Sequence, residues 1–133
     1  MSMETDFRAL LINDPAIAAL VSTRIYPSTY AQGATSPAVR YMRIGGAPGM
    51  HLRGSDGLDQ ALMQVDARAG TDASANAVRD AIVAKLNSFS GVQGATKFQL
   101  IELQSDRGVQ FDNTGPTNYY TASMDFAVKA SAD

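Results

Sequence analysis

The feature that most constrains the fold is a strand pattern followed at once by a helix pattern. From Ala61 to Arg68 apolar and polar side chains alternate, so one face of an extended segment meets the core and the other face stays mostly polar. Gly70 then breaks the period, and either Thr71 or Asp72 is a suitable N-cap for a following helix. The sequence therefore predicts a half-buried strand joined by a short turn to an amphipathic helix.

The predicted helix carries one apolar stripe, with residues at helical spacing: Ala75, Val78, Ile82, Leu86 and Phe89. Burying each large side chain of this stripe contributes roughly 1.5 to 3 kcal/mol, so the helix needs a sheet to lie upon. We expect one shared core between helix and sheet, which includes Val65, Ile82, Leu86, Met124 and Phe126.

The first residues predict a helix that is interrupted by a proline. Met3, Phe7, Leu10 and Leu11 share a helical face. The step Asn13-Asp14-Pro15 ends this helix and starts a second short one, because proline suits the first helical position. Residues 22–36 then predict an extended connection.

Three further strands are indicated by alternation and by flanking turn residues, over Ala38–Ile44, Phe98–Gln104 and Tyr119–Lys129. The segments between the elements predict a glycine-rich loop at Gly45–Gln60, a turn region at Ser90–Lys97 and a polar excursion at Ser105–Asn118, in which residues 109–111 extend the preceding strand.

The resulting element order is α-β-β-α-β-β. This order predicts an α+β fold with a mainly antiparallel four-stranded sheet and helices packed on one face. At 133 residues the chain has the size of one ordinary domain. We therefore expect a single domain over residues 1–133, with the glycine-rich loop at residues 45–60.

Charge and composition narrow the function. A formal net charge of -2 gives no electrostatic basis for gripping DNA. Cysteine is absent, which excludes disulfides and Cys-ligated metals. The acidic start and the lack of an apolar run of about 18 residues predict a soluble protein made in a cytoplasm, without a membrane span.

No residue set in the sequence forms a recognisable catalytic or cofactor site. His51 is the sole histidine, and it lies in the glycine-rich loop without a nucleophile that can be paired with it. The loop aspartates lack the spacing of a calcium site, and the glycines lack the Gly-Lys-Ser/Thr step of a phosphate cradle. We expect no enzyme activity, cofactor or metal; a small-molecule-binding or hydrolytic domain built on His51 and these aspartates is the alternative.

Surface residues point instead to partners. Leu62, Ile101 and Leu103 place apolar side chains on strand faces that alternate with other apolar positions, so parts of the sheet need a cover on both sides, which another subunit can supply. Arg40, Arg43 and Arg53 form either a weak basic patch or a set of salt-bridge and interface residues. The candidate partner or ring interface comprises Arg40, Arg43, His51, Arg53, Asp56, Asp59, Asp106, Arg107 and Asp112.

Four segments, in order and spacing, resemble the small tail completion or tail terminator proteins of long-tailed bacteriophages and of related gene transfer particles. They are FRALLINDPAIAALVSTRIYP, SPAVRYMRI, QVDARAGTDASANAVRDAIVAKL and LQSDRGVQFDNTGPTNYYTASMDFAV. The glycine-rich Gly45–Gly57 segment departs from the family pattern.

The resemblance implies a structural virion protein without catalysis, assembled in the bacterial host cytoplasm. It implies a homo-hexameric ring at the head-proximal end of the tail, which stops tube polymerisation and offers a surface for head-tail joining. Its partners would be further copies of itself, the tail tube protein and the head-tail connector protein, with DNA passing through the lumen without specific binding. A head completion or connector neck protein is the alternative within the structural class.

Overall fold

A computed structural model describes residues 3–30, 37–45, 59–112 and 119–132. Its helices are α1 (Met3–Ile12), α2 (Pro15–Val21) and α3 (Asp72–Leu86). Its strands are β1 (Ile25–Pro27), β2 (Ala38–Gly45), β3 (Asp59–Ala69), β4 (Phe89–Gln93), β5 (Thr96–Asp112) and β6 (Tyr119–Ala132). None of the helices described combines the length and apolar character that a membrane crossing requires.

The strands form one curled, mixed sheet in the order β1-β2-β3-β6-β5-β4. β1 pairs with β2 in parallel, and every other neighbouring pair is antiparallel. The predicted four-stranded antiparallel sheet with the order α-β-β-α-β-β is therefore wrong. β2 and β3 are antiparallel neighbours, and β6 lies between β3 and β5, which keeps those two strands apart.

Two strands, β1 and β4, were not predicted from the sequence, for different reasons. β1 has only three residues and depends on distant pairing with Val39, Arg40 and Tyr41 of β2, so it has no local signature. β4 begins at Phe89, which sequence spacing assigned to the helix. The helix ends at Leu86 because Asn87 has an extended backbone, with φ at -67° and ψ at 124°, and Ser88 then has a left-handed backbone, with φ at 67°.

The end of the sheet formed by β5 and β6 is longer than predicted. β5 runs for 17 residues, so Ser105 to Asp112 belongs to a strand and not to a polar excursion. Its pairing with β6 shifts register at three places, and each bulge interrupts the alternation that sequence analysis reads. The boundaries of the glycine-rich loop also change, because Gly45, Asp59 and Gln60 belong to strands; residues 46–58 and 113–118 lie outside the described part.

The two helix starts follow the predicted capping chemistry. Thr71 Oγ1 accepts a hydrogen bond of 3.1 Å from the Ser74 amide at the start of α3. Asp14 Oδ2 accepts one of 3.1 Å from the Ile17 amide, and Pro15 occupies the first turn of α2. The break between the first two helices is therefore confirmed, and its cause is the cap that satisfies an otherwise orphaned amide.

The sheet curls around the helices. α3 contacts β3, β5 and β6 in the middle of the sheet, whereas α1 contacts β1 and β2 near one edge and β4 at the other. Arg8 Nε donates to the Ile25 carbonyl at 2.9 Å, and Thr96 Oγ1 donates to Asp6 Oδ2 at 2.5 Å. α1 thus ties both ends of the sheet together across the core.

The predicted shared core is confirmed. The five expected residues are all fully buried in one cluster: Val65, Ile82, Leu86, Met124 and Phe126. Phe7 and Leu11 of α1, Ile17 and Val21 of α2, and Ile101 of β5 belong to the same cluster. This core occupies the helix side of the sheet and leaves the opposite side for polar residues.

Candidate assembly surface

The outer face is the side of the sheet that points away from the helices. Alternation puts Gln64, Asp66 and Arg68 of β3 there, because Met63, Val65 and Ala67 are fully buried on the other side. Strand register places Arg40 of β2 beside Asp66, and Ser123 of β6 on its other flank. Polar side chains from three strands therefore meet in the middle of this face.

Asp66 is the centre of this polar cluster. Its side chain is only 2% exposed, and its carboxylate lies 2.7 Å from Arg40 Nε. Gln64 Nε2 donates to both carboxylate oxygens at 3.1 Å. A buried carboxylate is costly unless it is paired and hydrogen-bonded, and here both conditions are met. The cluster fixes the orientation of Arg40 and Gln64 on the outer face.

Tyr30 covers one side of the cluster. Its hydroxyl donates to the Asp66 carbonyl oxygen at 3.3 Å, which fastens the end of the segment after β1 onto β3. Burial, followed by the nearby Asp66 carboxylate, raises the pKa of Tyr30 well above its ordinary value. The phenol therefore stays protonated and neutral throughout the physiological pH range.

Arg68 is held in an unusual way. Its guanidinium carbon lies 3.9 Å from the ring centre of Tyr30 and 4.1 Å from that of Tyr119, so it is stacked between two aromatic faces. Arg68 Nε is buried and has no acceptor within the described residues. Asp66, the nearest carboxylate along β3, already has its hydrogen bonds with Arg40 and Gln64.

These residues surround an open cleft of about 500 Å³ on the outer face. Residues from β2, β3, β5 and β6 line it together with Tyr30: Arg40, Gln64, Asp66, Arg68, Gln110, Phe111, Tyr119, Thr121 and Ser123. Phe111 is 52% exposed and packs on Tyr120 in a tilted arrangement, with ring centres 4.9 Å apart. The cleft thus combines one buried ion pair, one stacked arginine, hydroxyl groups and an exposed aromatic ring.

The structure places the predicted interface residues in separate locations. Arg40 lies on the outer face, while Arg43 Nη1 lies 3.8 Å from Glu4 Oε2 of α1. Asp106 pairs with Arg79 of α3 at 2.8 Å. Of the two interpretations of these arginines, a basic patch or salt-bridge residues, the second fits Arg40 and Arg43, because each has a carboxylate neighbour of its own.

Arg107 and Asp125 form a second pair, on neighbouring strands. Arg107 Nη1 and Nη2 donate to the two carboxylate oxygens of Asp125 at 2.7 and 3.0 Å. This bidentate geometry holds β5 on β6 beside the bulge. The remaining predicted residues are not part of this geometry: His51, Arg53 and Asp56 lie outside the described residues, as do the side chains of Asp59 and Asp112.

Sequence reasoning missed the cleft because its members come from five separate segments. Asp66 and Arg68 were recognised as the polar face of a strand, and a charged pair on such a face is a usable signal. Tyr30 and Tyr119 gave no such signal, since nothing local shows that both rings stack on one arginine. Over the residues that are described, no three metal-ligating side chains lie close enough to hold a metal ion.

The free edge of β5 is the second notable surface. β4 pairs with β5 only up to Ile101, and the Leu103 amide donates to Asn87 Oδ1 at 3.0 Å. From Gln104 to Asp112 no strand in the described part pairs with this edge, although β6 pairs with the other edge. Exposed strand edges present unpaired amides and carbonyls that another chain can join.

A model of the family described as tail completion protein gp17 matches residues 5–129. The chain belongs to this family. It therefore has a structural role in tail assembly and is a component of the virion tail. The suspected membership is confirmed, and the family is one of structural virion proteins.

A solved structure supports the fold of this tail completion protein. A chain of the "Virion of native gene transfer agent (GTA) particle" is 13% identical and superimposes with a TM-score of 0.70. The match covers 98% of this chain and 96% of that one, so the two share the whole fold. No curated protein matched the sequence.

Proposed function

We propose that this tail completion protein forms a hexameric ring that caps the head-proximal end of the tail tube. The ring stops tube polymerisation and offers a surface for head-tail joining. Its partners are further copies of the chain, the tail tube protein and the head-tail connector protein. Residues 1–133 act as one domain, and assembly takes place in the host cytoplasm.

The observation that best supports a ring is that the two edges of the sheet differ from each other. One edge is β1, three residues long and paired in parallel, whereas the other includes the free stretch of β5 from Gln104 to Asp112. Unlike surfaces on one subunit support head-to-tail contacts, and such contacts close into a ring when the rotation between subunits closes. Asp106 and Arg107 lie on this free stretch and belong to the proposed contact surface.

The charge distribution is compatible with DNA passing through such a ring. The chain carries a formal net charge of -2, and Arg40, Arg79 and Arg107 each have a carboxylate partner within the subunit. Tight DNA binding requires several cationic side chains that are free to contact phosphates. DNA would therefore cross the lumen without specific binding.

The free edge can be blocked at Gln104. This residue lies in a bulge, between the register positions of Leu103 and Ser105, so it has no partner residue on β6. Proline is tolerated at bulges, but it lacks the amide that could pair with an incoming strand. Light scattering after size exclusion should give about 85 kDa for six copies of the 14.1 kDa chain, and a monomer for Gln104→Pro.

Gln104→Ala is the matched control and should still form the ring, since it keeps the amide. Thermal melting of both variants checks that the subunit is folded. A wild-type protein that remains a stable dimer or trimer under all conditions would contradict the hexamer. A hexamer formed equally well by Gln104→Pro would move the contact away from the β5 edge.

A further inference from the structure

Among the residues that the structure describes, no carboxylate forms an ion pair with Arg68 of the outer face, and its Nε is buried without an acceptor. Arg40 pairs with Asp66 at 2.7 Å, and Arg107 pairs with Asp125 at 2.7 Å. Arg68 forms no ion pair or hydrogen bond with the rest of the described chain, although it lines an open cleft. A guanidinium carries five N–H donors, so this one has unused capacity to bind an anion.

Tyr30 and Tyr119 restrict the directions from which an anion can reach the Arg68 guanidinium. The Arg68 guanidinium carbon lies over the rings of Tyr30 and Tyr119, 3.9 and 4.1 Å from their centres, so the rings occupy the space over the guanidinium plane and favour approach of a ligand to its N–H edge. The edge of a guanidinium is the geometry that pairs in a bidentate way with a planar carboxylate. Stacking also restricts the rotamers of Arg68 before any ligand arrives, which lowers the entropy lost on binding.

The charge of the cleft selects between anions. Arg40 and Arg68 stand against the single carboxylate of Asp66, which leaves a surplus of one positive charge among the lining residues. That surplus balances one carboxylate, whereas a phosphate backbone offers a row of charges and needs several free cations. The neighbouring Thr121, Ser123 and half-exposed Phe111 suit the polar and methylene parts of a polypeptide.

We infer that the cleft receives the carboxylate of a glutamate or aspartate side chain from a neighbouring polypeptide in the assembled tail, which pairs with the edge of Arg68. The inference rests on the tail-assembly role and does not require the ring. It adds a specific, charge-paired contact on the outer face, distinct from the backbone edge of β5.

Arg68→Lys converts this contact into a chemical test. A carbodiimide joins a lysine amine to a carboxylate only when the two are in contact, so particles assembled with this variant should gain an interchain amide at position 68. Peptide mass spectrometry should map the other end to a glutamate or aspartate of a partner chain. Arg107→Lys is the positive control, because it should link within the subunit to Asp125. Arg24→Lys is the negative control, because within the described part of the chain Arg24 donates to the backbone carbonyls of Pro37 and Leu20 and to no carboxylate.

A second measurement uses the wild-type protein and so does not depend on a variant that folds. Phenylglyoxal modifies accessible arginines, and its reaction at Arg68 should fall at least tenfold between the free subunit and the assembled particle. A third measurement uses fluorescence anisotropy of a labelled 20-base-pair DNA duplex. We expect the wild-type and Arg68→Gln proteins to have the same affinity for this duplex.

Each result decides the question. An interchain link at position 68 with protection of Arg68 supports the inference. No interchain link, a link to Asp66 of the same subunit, or equal phenylglyoxal reactivity in both states would overturn it. A tenfold loss of duplex binding in Arg68→Gln would assign the cleft to nucleic acid instead. A ring by light scattering without the link would remove this inference alone and leave the proposed function standing.

Discussion

The turn between β4 and β5 offers the sharpest test of how α1 is held on the sheet. Gly94 has a left-handed backbone with φ at 62°, and a Cβ added there would collide with Asp6 Oδ1. Asp6 is buried and accepts the 2.5 Å hydrogen bond from Thr96 Oγ1. Gly94→Ala therefore combines a backbone cost with the displacement of a buried carboxylate.

The two costs can be separated. The left-handed conformation costs a non-glycine residue about 1 to 2 kcal/mol. Losing a hydrogen bond to a charged group costs about 1.5 to 3 kcal/mol more. Gly94→Ala should therefore lower the free energy of unfolding by about 2.5 to 5 kcal/mol. Gly108→Ala is the matched control, because φ is 71° there and no atom lies within 4 Å of the added Cβ, so only the backbone cost applies.

Urea denaturation of four proteins measures the interaction free energy between positions 94 and 6. The four are wild type, Gly94→Ala, Asp6→Ala and the double variant. With Asp6 truncated, Gly94→Ala should cost only its backbone term of about 1 to 2 kcal/mol. If Gly94→Ala and Gly108→Ala agree within about 0.5 kcal/mol, the space beside Gly94 is not filled by Asp6 and the reasoning fails.

Three further outcomes follow from the core, the helix cap and the outer face. Phe126→Ala should lower the free energy of unfolding by about 3 to 5 kcal/mol in urea, and an unchanged midpoint would mean that β6 faces the other way. Thr71→Ala should cost about 1 kcal/mol by the same assay, whereas Thr71→Ser should be nearly neutral; equal losses would argue against a capping role. Asp66→Ala should cost about 2 to 3 kcal/mol, because it removes a carboxylate that is only 2% exposed and leaves Arg40 unpaired. Asp125→Ala on the same face should cost about 1 kcal/mol or less, because the Asp125 side chain is 14% exposed; the reverse order would refute the central place of Asp66.

Local patterns predicted the elements that carry their own signals. β3 could be predicted because its alternation runs unbroken from Ala61 to Arg68. α3 could be predicted because its apolar stripe follows a threonine that caps the helix. Phe89 continued the helical spacing of Leu86 by chance, and the extended backbone of Asn87 followed by the left-handed backbone of Ser88 ends the helix. β1 and the long β5 depend on partners distant in sequence and on bulges, which no local period records.

The candidate surface shows the same division. Sequence alternation assigned Asp66 and Arg68 to the polar face of β3, since Val65 and Ala67 had to be buried. The strand register explains why the two residues have different partners. Arg40 lies directly opposite Asp66, whereas Arg68 lies opposite Ala38 and contacts two tyrosines. Which of the two arginines pairs with Asp66 could not be predicted before the pairing of β2 with β3 was known.

The length of the tails tests the capping role most directly. Electron microscopy would compare particles made with and without the gene for this chain, and with the Gln104→Pro variant. If the chain caps the tube, tails made without it should grow beyond the normal length and stay detached from heads, and wild-type protein should restore a uniform length. Detached tails of uniform, normal length without the protein would contradict capping and assign the chain to head-tail joining alone.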